Sequence, residues 1–487
     1  MNNWNANTLL SSIKQYWYLY ILLCGWSIYY FVKANTMSIG HDEAGTWLNI
    51  CKIPFQEFFI DKSKWSDANN HLLNTGAIQL LTHFFSPTLL VLRLPNVLAG
   101  ILFGITIIRI AQLFQLTIIP AIALFIFLHA NPFVVDFFCL ARGYGLCVFF
   151  AVLSLYYSLL YLHCFQNKYV YKVLVSSFLM IASNFIGIQF LIANCILLFL
   201  ITCVYAWQIK NWKLIIQHFF ILTVGSLIIF LPFFKILQWL AVIGEFNWGT
   251  STIKTTYVSF LGDVMYQNNL ATKQIDTLLY ILFPIYFVWI LIASIFYLNN
   301  FDKYKRQLFL VIFPLFMFAC MMVLHFIIGA QYPETRKAIL YYSTIAMSLY
   351  FCIAMLQNFR KGKFVSNGLF LLAVISFLLH FMFTTQKNYN REWWYDVDDY
   401  KMIAYAIQQS ENKKFSIAAH WSFMPALEYY RTSQFVDKFN LAPYNKSIDT
   451  INAYNYYYMY EADTALLSSK YNVDTMFGPG RFLMKHK

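Results

Sequence analysis

Runs of 18 or more mostly apolar residues recur from about Tyr16 to about Thr384, and each is long enough to cross a ~30 Å hydrocarbon layer as a helix. No other feature constrains the fold as strongly: the pattern demands an α-helical polytopic membrane protein. On hydropathy about eleven spans are expected, near 16–33, 88–108, 117–136, 143–163, 172–186, 188–207, 214–234, 276–298, 308–329, 338–357 and 365–384. Composition agrees, because with 60% hydrophobic and only 12% charged residues a soluble fold would be left with apolar surface it could not bury.

A net charge of +13 would suggest nucleic acid in a soluble protein. Here the basic residues sit in short gaps between apolar runs, so no nucleic-acid partner is expected. With the N-terminus in the cytoplasm, the inner gaps hold Arg109, Lys168 and Lys172, Lys210 and Lys213, Lys303, Lys305 and Arg306, then Arg360, Lys361 and Lys363. That arrangement follows the positive-inside rule and puts the C-terminus outside an inner (cytoplasmic) membrane. Lys14 precedes the first run and no small-residue cleavage site follows it, which reads as an uncleaved signal anchor. Of nine cysteines only Cys51 lies clearly in a loop, and no disulfide framework or CxxC metal site is present.

Four substantial pieces fall on the outer side: the loop 34–87, the loop 241–275, the turn QYPETRKA at 331–338 and the tail 385–487. Chemistry is therefore expected to face outward. The tail has a different grammar from the membrane domain, 1–384. VDDYKMIAYAIQQS reads as an amphipathic helix, KFSIAAH as a strand, FMPALEYYR as a helix, INAYNYYYMY as a strand, and the remainder as a helix and a final strand. A small extracytoplasmic α/β domain is expected there.

Candidate residues cluster at the outer membrane boundary. SIGHDEAGTWLNI, at 38–50, sets His41, Asp42 and Glu43 side by side at the start of a helical stretch expected to lie along the membrane surface. On a helix adjacent carboxylates diverge by about 100°, so only one of them is expected to be the reacting acid. The alternative is that Asp42 caps the helix and Glu43 offsets its dipole. WSDANNHLL adds Asp67, Asn69, Asn70 and His71 before another apolar run. Arg142 follows Asp136 between two spans, and QYPETRKAILYY carries Glu334, Arg336 and Lys337 at the outer end of another. Cations on the charge-poor side ask for an anion, and a lipid phosphate suits the planar arginine fork. Carboxylate and cations together fit sugar transfer from a lipid phosphate, in which a base takes the acceptor's proton and cations hold the departing phosphate. In REWWYDVDD, at 391–399, Trp393 and Trp394 are read as an interfacial aromatic anchor.

Four motifs carry a resemblance. They are His41-Asp42-Glu43-Ala44, the DANNHLL stretch, Leu92-Arg93-Leu94-Pro95-Asn96, and Leu140-Ala141-Arg142-Gly143-Tyr144-Gly145-Leu146, in that order over residues 38–146. Together they resemble bacterial membrane glycosyltransferases of the C-type (GT-C) fold, related to protein O-mannosyltransferases and to the aminoarabinose transferase acting on lipid A. The resemblance implies an inverting transferase with a polyprenyl-phosphate sugar donor and a lipid, glycan or protein acceptor outside the membrane. It implies Asp42 as the catalytic carboxylate and Glu43 as its supporting acid. His41, Asn70, His71, Arg142, Tyr144, Glu334, Arg336 and Lys337 are then the residues expected to bind substrate. The chain departs from the family in having Leu72 and Leu73 where prolines follow the histidine, Asn69 for an acid, and Leu140 where many members carry glutamate. Some relatives bind a divalent metal near these positions; the losses argue against one here, so no metal ligand or cofactor is assigned. A transporter or flippase for lipid-linked sugars is the rival reading, but it calls for internal repeats and mid-span charges, of which the chain has few. A glycan polymerase or ligase would place its site in a large late loop, and the early carboxylate motif speaks against that.

Overall fold

The computed structural model describes residues 6–65, 69–247, 249–266, 272–478 and 480–487. Asp67 lies outside the described residues. The chain divides into two units: Met1–Tyr30, Phe59–Asn74 and Pro95–Thr385 form the first, and Phe31–Phe58, Thr75–Leu94 and Gln386–Lys487 the second.

Apolar helices dominate the chain, as the hydropathy requires. Among the described residues eight helices are long and apolar enough to cross a membrane, or nine if one bent pair counts as a single span, which is fewer than expected. Two expected spans fall outside this set. The helix Ala6–Thr36 is diluted by Tyr16, Trp17, Tyr18, Tyr20, Trp26, Tyr29 and Tyr30, and Asn167–Ser183 has only 17 residues. The expected span at 117–136 is a broken one, Ile118–His129 and Pro132–Phe138 meeting at 68°. Pro132 lacks an amide hydrogen to continue the first helix, and the Asn131 side chain caps the second by accepting from Phe133 N at 3.1 Å and Val134 N at 3.3 Å.

Helices of the first unit differ in what surrounds them. Tyr144–Cys164 is mostly buried among its neighbours, whereas Trp212–Val242 and Ile281–Asn299 leave most of their apolar side chains exposed, which only a hydrocarbon surround tolerates. Small polar residues join the inner helices: Ser158 Oγ donates to Asn194 Oδ1 at 3.0 Å, Asn194 Nδ2 to Ser154 Oγ at 3.0 Å, and Ser154 and Ser177 share a bond at 3.2 Å.

The second unit contains a five-stranded sheet of order β2-β1-β3-β5-β4, with β1 Phe415–Ala419, β2 Phe439–Leu441, β3 Tyr456–Tyr460, β4 Tyr471–Met476 and β5 Arg481–His486. β1 pairs in parallel with β2 and β3, while β5 runs antiparallel to β3 and β4. The helices Asp399–Gln409 and Met424–Ser433 and the strands β1 and β3 are as expected. β2 and β4 were not foreseen, and the expected late helix is a 3-10 stretch, Glu461–Leu467. β3 reads YYYMY without polar alternation because it lies in the middle of the sheet with Tyr456 to Met459 all buried.

Candidate functional site

In the second unit the motif forms the helix His41–Leu48. Gly40, not Asp42, is its N-cap, and Glu43 at the third helical position reaches back to accept from Gly40 N at 2.9 Å, the one half of a capping box open to a glycine cap. Glu43 is only 1% exposed. Its two oxygens also take the fork of Arg93, from Nε at 2.9 Å and from Nη2 at 2.7 Å. Arg93 spends its remaining hydrogens on the carbonyls of Ala34 at 2.8 Å, Met37 at 2.6 Å and Ser38 at 2.7 Å. All five donors of a buried guanidinium are thus engaged, a geometry that lysine cannot reproduce.

The helical turn sends Asp42 elsewhere. It is partly exposed, while its backbone carbonyl accepts from Thr46 Oγ1 at 2.8 Å. His41 is held by the tail: its amide donates to Asp396 Oδ2 at 2.7 Å, and its Nδ1 donates to the Ser422 carbonyl at 2.7 Å, since a carbonyl can only accept. The Trp421 ring stands edge-on to the imidazole at 5.8 Å. Trp393 is not an interfacial anchor; it is 2% exposed and covers Gly40 so closely that a Cβ there would stand 3.0 Å from the indole Cγ. A side chain at that cap would press on the indole, which would have to give by a few tenths of an ångström.

In the first unit Asn69 and His71 come together with the loop 139–143. Arg142 is fully buried and donates through Nη2 to Asn69 Oδ1 at 2.9 Å. His71, 5% exposed, takes a bond on Nδ1 from Asn184 Nδ2 at 3.3 Å, so its other nitrogen carries the hydrogen; that Nε2 has no partner among the described residues. Burial, followed by the charges of Arg142 and Arg336, pushes the imidazole well below its usual range and keeps it neutral. Tyr144 packs its ring against His71 at 5.2 Å and accepts from Arg336 Nε at 3.3 Å. Glu334 opens the short 3-10 turn Thr335–Ala338 that carries Arg336 and Lys337. Asn70 is buried beside His71 in the chain.

Asparagines fix the arginine loop. Asn74 Nδ2 donates to the Ala141 carbonyl at 3.1 Å, Asn96 Nδ2 donates to Asn74 Oδ1 at 2.8 Å, and Asn96 Oδ1 accepts from Leu146 N at 3.1 Å. Gly143 fits because a Cβ there would lie 2.0 Å from the Ser183 carbonyl and 2.6 Å from His71 Cβ. The result is a cluster of two cations and one neutral N–H donor, a combination suited to a phosphate. Asp136 is engaged separately, accepting from Tyr266 OH at 2.6 Å. Among the described residues no three His, Cys, Asp or Glu side chains gather as a metal-ligand set, so no step is assigned to a metal.

Several contributors escape a reading of the sequence. Asn184, Asp396 and Tyr430 carry no motif signal. Arg93 does have one, a charge inside an apolar run.

No family model matches the chain, and no curated protein matches it. One similar solved structure is the crystal structure of ArnT from Cupriavidus metallidurans bound to undecaprenyl phosphate, at 10% identity, covering 95% of this chain and 97% of that one with a TM-score of 0.48.

Arg93→Lys is expected to cost at least ~3 kcal/mol, because it strands carboxylate and carbonyl oxygens in a buried site. Thermal unfolding of the purified full chain measures it, and a melting point equal to the parent's would show that the fork is dispensable.

Proposed function

We propose that the chain is an inverting membrane glycosyltransferase of the C-type fold. It moves one sugar from a polyprenyl-phosphate donor to a lipid, glycan or protein acceptor outside the cytoplasmic membrane, with the N-terminus inside and the C-terminus outside. The observation that carries this reading is the group of buried Arg142, His71 and Tyr144 with the partly exposed Arg336, which offers cations and a neutral N–H donor at the ends of apolar helices. A polyprenyl chain can stay in hydrocarbon while its phosphate reaches such a group.

Asp42 takes the proton of the acceptor hydroxyl as the acceptor oxygen bonds to the anomeric carbon. The bond from that carbon to the phosphate oxygen breaks on the opposite face, and polyprenyl phosphate leaves with one more negative charge. Arg142, Arg336 and Lys337 hold that charge, and His71 Nε2–H donates to it. Asn70, Glu334 and Tyr144 line the donor's surroundings. His41 orients the start of the motif helix. Glu43 supports Asp42 by locking the backbone that carries it, since its own oxygens are taken by Arg93 and Gly40.

The direct test is a panel of polyprenyl-phosphate sugars offered to the purified protein, scored for donor hydrolysis or transfer with and without chelator. Chelator-insensitive release of polyprenyl phosphate is expected; no release from any donor would sink the reading. Asp42→Asn should lower transfer by about 10²–10⁴-fold while expression, membrane insertion and melting stay at parental values. His71→Gln keeps a donor and cannot titrate. Its pH–rate profile should retain the parent's shape around pH ~6.5, where an ordinary histidine ionises, because His71 is already neutral there. A limb that vanishes in this variant would show that His71 does titrate.

A further inference from the structure

The segment after the last apolar helix takes no part in the chemistry above, yet it grips the motif at its first residue. Asp396 is 1% exposed, and its Oδ2 is the acceptor for His41 N at 2.7 Å. The residues just before are held from the same side: Ser38 Oγ donates to the Val397 carbonyl at 2.8 Å, Ile39 N donates to Tyr430 OH at 3.1 Å, and Trp393 covers Gly40. Every residue from Ser38 to His41 therefore meets a tail residue, and Asp42 follows directly.

The charges around Asp396 do not balance. Its own segment supplies Asp398 and Asp399, the motif helix supplies His41 and Asp42, β5 supplies Arg481 and β3 supplies Tyr458; Tyr430 comes from the helix Met424–Ser433. Arg481 is fully buried but reaches the other acids, Asp399 Oδ1 at 3.4 Å and Asp398 Oδ2 at 3.8 Å. Tyr458 OH also donates to Asp399 Oδ1 at 3.1 Å. Among the described residues Asp396 has no ion-pair partner, so one buried cation serves a cluster of acids.

We propose that Asp396 is a positioning residue for Asp42: its Oδ2 pins the first amide of the motif helix, and a second buried negative charge beside Asp399, in a cluster with one cation, would drive the segment off the motif by like-charge repulsion. The proposal rests on the reading of Asp42 as the base. Burial, and then the charge of Asp399, push the Asp396 carboxyl well above the usual carboxylate range. Burial also pushes Asp399 up, to about 7, against the pull of Arg481 and Tyr458. A carboxyl whose folded pKa is raised contributes stability that is full below its unfolded pKa and is lost as pH rises through the folded value. Stability and turnover should therefore both fall on the alkaline side.

Two substitutions separate this from packing alone. Asp396→Ala removes the acceptor, and kcat should drop ~10-fold or more with the donor KM little changed. Asp396→Asn keeps an oxygen for His41 N and cannot ionise, so it should rescue kcat at neutral pH and lose the parent's alkaline fall. An Asn variant as impaired as the Ala variant, or an unchanged alkaline limb, would overturn the proposal. Melting of the full chain across pH needs no turnover: the parent's melting point should fall with rising pH more steeply than that of Asp396→Asn, and equal slopes would overturn it too. A parent that releases no donor would instead defeat the glycosyltransferase reading, leaving the melting slopes to judge the role of Asp396.

Discussion

One buried guanidinium organises the motif region. Arg93 sits in an apolar run where a charge is costly, and it meets that cost by placing every N–H on an oxygen: two on Glu43 and three on the carbonyls of Ala34, Met37 and Ser38. The consequence is a chain path from Ala34 to Glu43 with little freedom. Glu43 is consumed in the process, since its second oxygen also serves Gly40 N. Adjacent carboxylates thereby acquire different duties, Glu43 holding backbone and Asp42 remaining partly exposed on the next face of the helix.

The cationic group follows a similar logic with different materials. Arg142 and His71 are buried by a loop whose shape is set by neutral asparagines and by a glycine that touches its neighbours. Neutral braces matter here, because an acid in place of Asn69 or Leu140 would offset the positive charge of the arginine.

Much of this was legible beforehand, and the misses have physical causes. Hydropathy found the helices, but it could not see that Asn131-Pro132 would break one of them, because the composition of the run stays apolar through the bend. Trp393 looked like an interfacial residue since it follows an apolar run directly; only its packing over Gly40 shows otherwise. β2 and β4 were missed because β2 is three residues long and β4 contains Asn472 and Asp474, which depress strand propensity. Asp396 was visible only as one acid among several in REWWYDVDD, since its partner is a backbone amide some 350 residues away in the chain.

By itself the sequence determined that this is a helical membrane protein with an α/β tail, and that carboxylates, a histidine and arginines gather in short motifs at the ends of apolar runs. Those conclusions rest on local properties, namely run length, charge bias and motif order. Tertiary structure decided which carboxylate of the Asp42–Glu43 pair is spent on the fold, that Gly40 rather than Asp42 caps the helix, and that the tail holds the motif through His41. Such assignments depend on which distant oxygen or N–H each group meets, and pairing across hundreds of residues leaves no local periodicity to read.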